Sequence, residues 1–220
     1  MPKGLTILYE DQAILVVSKI NGLLSVSTDR EKEKTAHFLL NNYVKKGNAR
    51  STNRVFIVHR LDRDTSGILV FAKNEKAKRF LQDEWATFNK KYFAVVHGKL
   101  QDKEGIITSY LVENKVHRMY SVKESAKGKF SKTGYKVLKE SGKYSLLEIE
   151  LFTGRKNQIR VHLAEKGHPV VGDKMYGRSA KGIKRLALHA TSLTISHPLT
   201  KEKMIFETDI PLYFKTLVKY

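Results

Sequence analysis

The stretch VFIVHRLDRDTSGILVFAK, residues 55–73, sets two apolar runs around a polar centre, His59 to Gly67, that carries the carboxylates Asp62 and Asp64 beside the guanidinium groups of Arg60 and Arg63. A guanidinium next to a carboxylate favours its ionised form, so either acid could serve as a nucleophile or a base. The same cluster also has the composition of a structural salt-bridge network at a strand end. His59 with the two acids would make an N/O set able to hold a divalent ion for phosphodiester cleavage. Residue types and spacing alone leave Asp62 and Asp64 equivalent.

Positioning such a centre takes rigid neighbours. The flanking runs Val55–Val58 and Ile68–Ala72 read as strands, which makes the polar centre a loop at one end of a sheet, where side chains are both exposed and held in place. Further strands are expected at Ile7–Tyr9, Ala13–Val17 and Tyr92–Val96, and where Leu147, Ile149 and Leu151 alternate with Glu148 and Glu150. Helical spacing links Ala36, Leu39, Leu40, Tyr43 and Val44, and again Ala77, Phe80, Leu81, Trp85 and Phe88. The segment Lys115–Lys143 is rich in Lys, Ser and Gly and reads as a loop-rich excursion, and Gly172–Lys184 as a second basic loop. The C-terminal part predicts a strand in LALHATSLTISHP, a turn at His197-Pro198, a strand near Met204–Glu207 and a closing helix from Pro211. The expected architecture is α+β, a mostly antiparallel mixed sheet with flanking helices, in one domain over 1–220 or two sub-lobes sharing one sheet.

Composition narrows the partners. Of 220 residues, 41% are hydrophobic and 29% charged, enough for a sizeable core. Lys and Arg number 41 against 22 Asp and Glu, a formal charge of +19 that points to a polyanion, with nucleic acid first and an unpartnered cationic surface as the plain alternative. Neither a lipidation signal nor a basic amphipathic surface helix supports a membrane partner. No apolar run approaches spanning length, the N-terminus lacks a signal-peptide core, and a cytoplasmic location is expected. The absence of cysteine excludes disulfides, thiolate catalysis and Cys-based metal or iron–sulfur sites.

HRLDRDTSG followed by ILVFAK closely resembles the signature segment of the RluA family of RNA pseudouridine synthases, in which the Asp of HRLD is catalytic. The resemblance selects Asp62 over Asp64. It runs along nearly the whole chain. ILYEDQAILVVSKINGLLSV stands as the family's first motif, although Lys19-Ile20-Asn21-Gly22 replaces the usual Lys-Pro before the glycine. KKYFAVVHG, residues 90–98, is similar to the segment whose Tyr packs on the target base, here Tyr92. LFTGRKNQIRVHLAEKGHPVVGDKMYG, residues 151–177, passes from a strand end into a short helical stretch with Arg155, Arg160 and His162. It carries the Arg that pairs with the catalytic carboxylate, here Arg160, and has Asn157 where the family has His.

The resemblance implies the pseudouridine synthase catalytic fold with a central active-site cleft, and an isomerase using Asp62, Arg160 and Tyr92. His59, Arg60, Arg63, Thr65, Arg155 and Asn157 would face the RNA. It implies no cofactor and no metal, structured RNA (ribosomal or transfer) as partner with no obligatory protein partner, and a short form without an added N-terminal RNA-binding domain. GHPVVGD (167–173), LALHA and SHP are assigned to architecture; His162, His168 and Asp173 form a second N/O set without a defined metal spacing. Two rivals remain: an inactive RNA-binding protein of the same fold, and the metal-dependent nuclease built on Asp62, Asp64 and His59.

Overall fold

A computed structural model describes residues 2–124, 127–177, 183 and 185–220. The chain is a mixed α+β protein of eleven strands and four helices among the described residues, and it divides into two compact units. The first comprises Met1–Phe88 and Ser192–Thr208, the second Asn89–Thr191 and Asp209–Tyr220. Among the described residues no helix is long and apolar enough to cross a membrane.

In the first unit, β1 (Leu5–Glu10) pairs antiparallel with β2 (Ile14–Lys19), and β2 with β4 (Ser66–Ala72), whose every residue is buried. The β2–β4 register runs from Ile14 opposite Ala72 to Lys19 opposite Gly67, so the end of β2 lies beside the polar loop that precedes β4. The run Val55–Val58 contributes only a two-residue strand, β3 (Phe56–Ile57), on β4. A core of Ile14, Val16, Ile68, Val70, Ala77, Leu81, Leu193, Ile195 and Phe206 holds this unit.

Helix α1 (Ala36–Lys45) starts where Thr35 Oγ1 accepts the Phe38 N–H, and α2 (Glu75–Asp83) where Asn74 caps Ala77. The helical spacing that extended to Trp85 and Phe88 overran the helix. The chain turns out of α2 at Glu84, and Trp85 leaves the helix axis to stack on His59 at 4.1 Å, with Phe88 edge-on to it. Aromatic pairing at a tertiary contact outweighs continuation of the period.

In the second unit, β5 (Asn89–His97), β9 (Tyr144–Leu151), β8 (Lys129–Glu140), β6 (Glu104–Glu113) and β7 (Met119–Val122) follow one another in an antiparallel sheet. The segment Lys115–Lys143, expected as loop-rich, therefore contains β7 and the twelve-residue β8; Ser125 and Ala126 lie outside the described residues. Its hydropathy is low because the inward positions of β8 are Ser131 and Thr133 as well as Tyr135, while Lys132 and Lys136 occupy the other side. Alternation, not hydropathy, is the strand's signature there.

Helix α3 (Gln158–Glu165) packs on β6, β7 and β8, and α4 (Leu212–Val218) on β5 and β9, burying Ile159, Leu163, Phe214 and Val218 with Leu146, Leu147 and Ile149. β10 (Leu188–Ser196) begins in this unit; in the first, its later residues pair with β11 (Lys203–Glu207), matching the expected strand, turn and strand before the closing helix. In the second basic loop, Gly172–Lys184, residues 178–182 and 184 lie outside the described residues.

Candidate active site

His59, Arg60, Asp62, Arg63 and Thr65 occupy a single loop of the first unit, between β3 and β4. The Thr65 N–H donates to the Asp62 carbonyl at 3.1 Å, so Asp62 opens a tight turn. This turn is held by the chain that leaves β2. The buried Ser25 hydroxyl donates to the Leu61 carbonyl at 2.7 Å and accepts the Leu61 N–H at 3.0 Å, locking the backbone immediately before Asp62. The Gly22 N–H donates to the Arg63 carbonyl, Arg63 Nε returns a bond to the Gly22 carbonyl, and Asn21 Nδ2 donates to the Asp64 carbonyl.

Lys19 completes the strap. It is 1% exposed, and its ammonium donates to the carbonyls of Leu23 (2.7 Å), Arg63 (3.1 Å) and Ile20 (3.2 Å), one acceptor for each N–H. Burial pulls its pKa down to about 8, against the attraction of Asp64 and then Asp62. Ile20, which stands where the family has proline, uses its N–H to bond the Gly4 carbonyl at 3.1 Å, a bond proline cannot make. The departure in the first motif is thus compensated by Ile20 and Asn21 together.

Around the loop, His59 Nε2 accepts the Val70 N–H at 3.1 Å while its ring lies on Trp85, so this imidazole braces the loop against β4. Arg60 and Arg63 are exposed, whereas Thr65 is buried at 3% exposure.

Tyr92, Arg155, Asn157 and Arg160 belong to the second unit. Tyr92 is half-buried on β5, and the neighbouring Lys90 is buried, which lowers its pKa. Arg155 precedes α3 instead of lying in it; it is exposed and donates through Nε to the Phe130 carbonyl at 3.3 Å. Gln158 anchors the start of α3: its oxygen accepts from Thr153 Oγ1 and the Arg155 N–H, and its nitrogen donates to the Lys132 carbonyl and Thr133 Oγ1. His162 is bound at both ring nitrogens, to Thr133 and Ser109, and burial lowers its pKa, so it serves packing.

Arg160 is the most constrained cation of the helix. Its Nε and Nη2 make parallel bonds to Asp173 Oδ2 and Oδ1 at 2.7 and 2.8 Å, and Nη1 donates to Asn157 Oδ1 at 2.8 Å. The Tyr176 ring lies 5.2 Å from the guanidinium carbon. Asp173 is buried, a change that alone would raise its pKa, yet the Arg160 bonds and charge and two backbone N–H groups hold it below the usual carboxylate value. Sequence reasoning gave Asp173 an architectural or metal-binding part and did not single out Tyr176. Their role depends on a loop folding back over α3, which no spacing reveals. Among the described residues, no three His, Cys, Asp or Glu side chains stand together as a metal site.

The model of the family described as RNA pseudouridylate synthase matches residues 13–165. The chain belongs to this family. The match takes in Asp62, Tyr92 and Arg160, and leaves Asp173 and Tyr176 beyond its end. An "uncharacterized RNA pseudouridine synthase", YhcT of Bacillus subtilis (strain 168), is 38% identical over 98% of this chain and 72% of its own length. Ribosomal large subunit pseudouridine synthase D of Nitrosomonas europaea is 34% identical over 94% of this chain and 62% of its own. The structure of human RNA pseudouridylate synthase domain containing 4 superposes with a TM-score of 0.79 at 23% identity, covering 94% of this chain and 89% of that one, which establishes the shared fold. As a member of the RNA pseudouridylate synthase family the protein is an isomerase acting on RNA.

Proposed function

We propose that this pseudouridine synthase isomerises a uridine of ribosomal RNA, with Asp62 as the catalytic carboxylate, Tyr92 as the aromatic face against the extruded base and Arg160 as the guanidinium acting with Asp62, and that it works in the cytoplasm. The observation that carries the reading is the strapped turn: Ser25, Lys19, Asn21 and Gly22 all bond the backbone of residues 61–64, around Asp62. Four separate anchors on one loop concentrate rigidity where a reacting group needs it. Ribosomal RNA is favoured over transfer RNA by relatives named as ribosomal large subunit pseudouridine synthases.

The reaction breaks the N1–C1' bond of uridine, rotates the base and forms the C5–C1' bond, while the proton leaving C5 is balanced by one gained at N1. It is redox-neutral. A carboxylate supplies the electron pair needed at the sugar or the base, as in glycosyl transfer. The +19 charge attracts the phosphates, and the target nucleotide must leave its stack to meet the aromatic ring.

The test is Asp62→Ala assayed by carbodiimide mapping of pseudouridine in ribosomal RNA from cells with and without the gene, alongside RNA binding in vitro with EDTA present. Loss of modification by about 10³-fold or more with retained binding supports the role. Modification persisting in the variant, or wild-type protein modifying no RNA, overturns it.

A further inference from the structure

The bidentate bond of Arg160 to Asp173 fixes one edge of the guanidinium, but two bonds on one edge still let the plane rock about that edge. A third bond at the opposite corner removes this freedom, and the Asn157 oxygen makes it. Asn157 is itself fixed by what its other end does: Nδ2 donates to Tyr176 Oη at 3.3 Å and approaches Met175 Sδ at 3.8 Å. Tyr176 Oη in turn accepts the Met119 N–H at 2.9 Å, which ties the ring to β7.

Asn157 holds this place at the expense of its ordinary role. It stands at the N-cap of α3, where Asn normally accepts a backbone N–H of the first turn, yet it makes no such bond. Its φ of 54° lies in the left-handed region, which Asn enters more readily than most residues with a Cβ. It is buried, at 8% exposure. A residue that forgoes its cap bond and directs both ends of its amide inward is arranged for the groups it touches.

We infer that Asn157 is a positioning residue for Arg160: its amide, bridging Tyr176 and Nη1, sets the rotation of the guanidinium that Asp173 holds by its other edge. The inference rests on the proposed catalytic part of Arg160. Asn suits the task because one neutral group offers an acceptor to Arg160 and a donor to Tyr176 at every working pH. Histidine could offer the same pair only in one neutral tautomer, and once protonated it would present a cation to a cation.

The experiment compares Asn157→Ala, Asn157→His and Arg160→Ala with wild type in single-turnover pseudouridine formation on ribosomal RNA, from pH 5.5 to 8.5, with RNA affinity and melting temperature measured on each. Asn157→Ala is expected to lower the single-turnover rate by about 10- to 100-fold, as an ångström-scale misplacement does, with unchanged RNA affinity. Asn157→His is expected to recover rate while its imidazole is neutral and to lose it toward the acid end of the range, below the ordinary histidine value of about 6.5 because burial and the Arg160 charge disfavour the imidazolium, an acid limb absent from wild type. A structural defect alone would not produce that limb. If Arg160→Ala is inactive while Asn157→Ala keeps the wild-type rate, or if Asn157→Ala loses affinity at constant rate, the inference is overturned. If Arg160→Ala retains full activity, the proposed part of Arg160 fails instead.

Discussion

Gly172→Ala isolates the turn that carries Asp173. A Cβ at this position would lie 2.0 Å from the Arg185 carbonyl oxygen, 2.6 Å from its carbon and 3.1 Å from the Leu186 nitrogen, all backbone atoms. Close carbon–oxygen contacts stop at about 3.3 Å, so one side must move by roughly 1.3 Å. The Arg185 side is held in place: the Ala187 N–H donates to the Val171 carbonyl, the Val171 N–H to the Val95 carbonyl, and the Val95 N–H to the Ala187 carbonyl. Displacement is therefore forced into residues 173–177, which carry Asp173 and with it Arg160. The φ of +79° adds about 1–2 kcal/mol for a residue with a Cβ, and overpacking about 1–3 kcal/mol, giving a destabilisation of about 2–5 kcal/mol. For a chain of this length that corresponds to a drop in Tm of about 4–20 °C. Catalytic rate should fall by about 10²-fold if Arg160 follows by an ångström.

The comparison is Gly167→Ala. Gly167 also has a positive φ, +87°, closing α3 with its N–H bonded to the Ala164 carbonyl and the next N–H to Leu163, but a Cβ there meets nothing within 4 Å. It should show the conformational cost alone, about 1–2 kcal/mol, with near-normal rate. Urea unfolding and single-turnover rates on both variants provide the readout. Equal stabilities for the two, or a fully active Gly172→Ala, would refute the packing argument.

Two further outcomes follow from buried polar groups. Burial, and then the nearby Arg185 charge, push the His189 pKa down to about 4, so the unfolded chain, with an ordinary His near 6.5, binds the proton more tightly. Stability contributed by neutral His189 is complete above about pH 6.5 and is lost as pH falls toward 4, on the order of 3 kcal/mol in all; urea midpoints should trace this limb, and His189→Gln should flatten it. Ser25→Ala leaves both the N–H and the carbonyl of Leu61 without their buried partner. It should cost about 1–3 kcal/mol and lower activity through the neighbouring Asp62, whereas unchanged unfolding and turnover would show that the strap is dispensable.

What could be read from the chain was local. The all-buried β4 announced itself as an unbroken apolar run, α1 and the start of α2 by their spacing, and the last strands and helix by the His197-Pro198 turn and Pro211. The HRLD loop was legible because its polar residues interrupt two such runs. β8 was not, since hydroxyl side chains fill its inner face, and the end of α2 was not, since Trp85 answers to His59 across the fold. Among the candidate residues, the family resemblance marked Asp62, Tyr92 and Arg160, while the bonds that hold the loop and the guanidinium were not legible. Lys19 and Ser25 reach Arg63 and Leu61 across about forty residues, and Asp173 and Tyr176 come back over α3 by a turn whose shape depends on contact with Arg185. Periodicity and motif spacing encode what neighbours along the chain do to one another. Hydrogen bonds between distant segments exist only once packing has brought them within 3 Å, so tertiary structure alone decided how Arg160 is held.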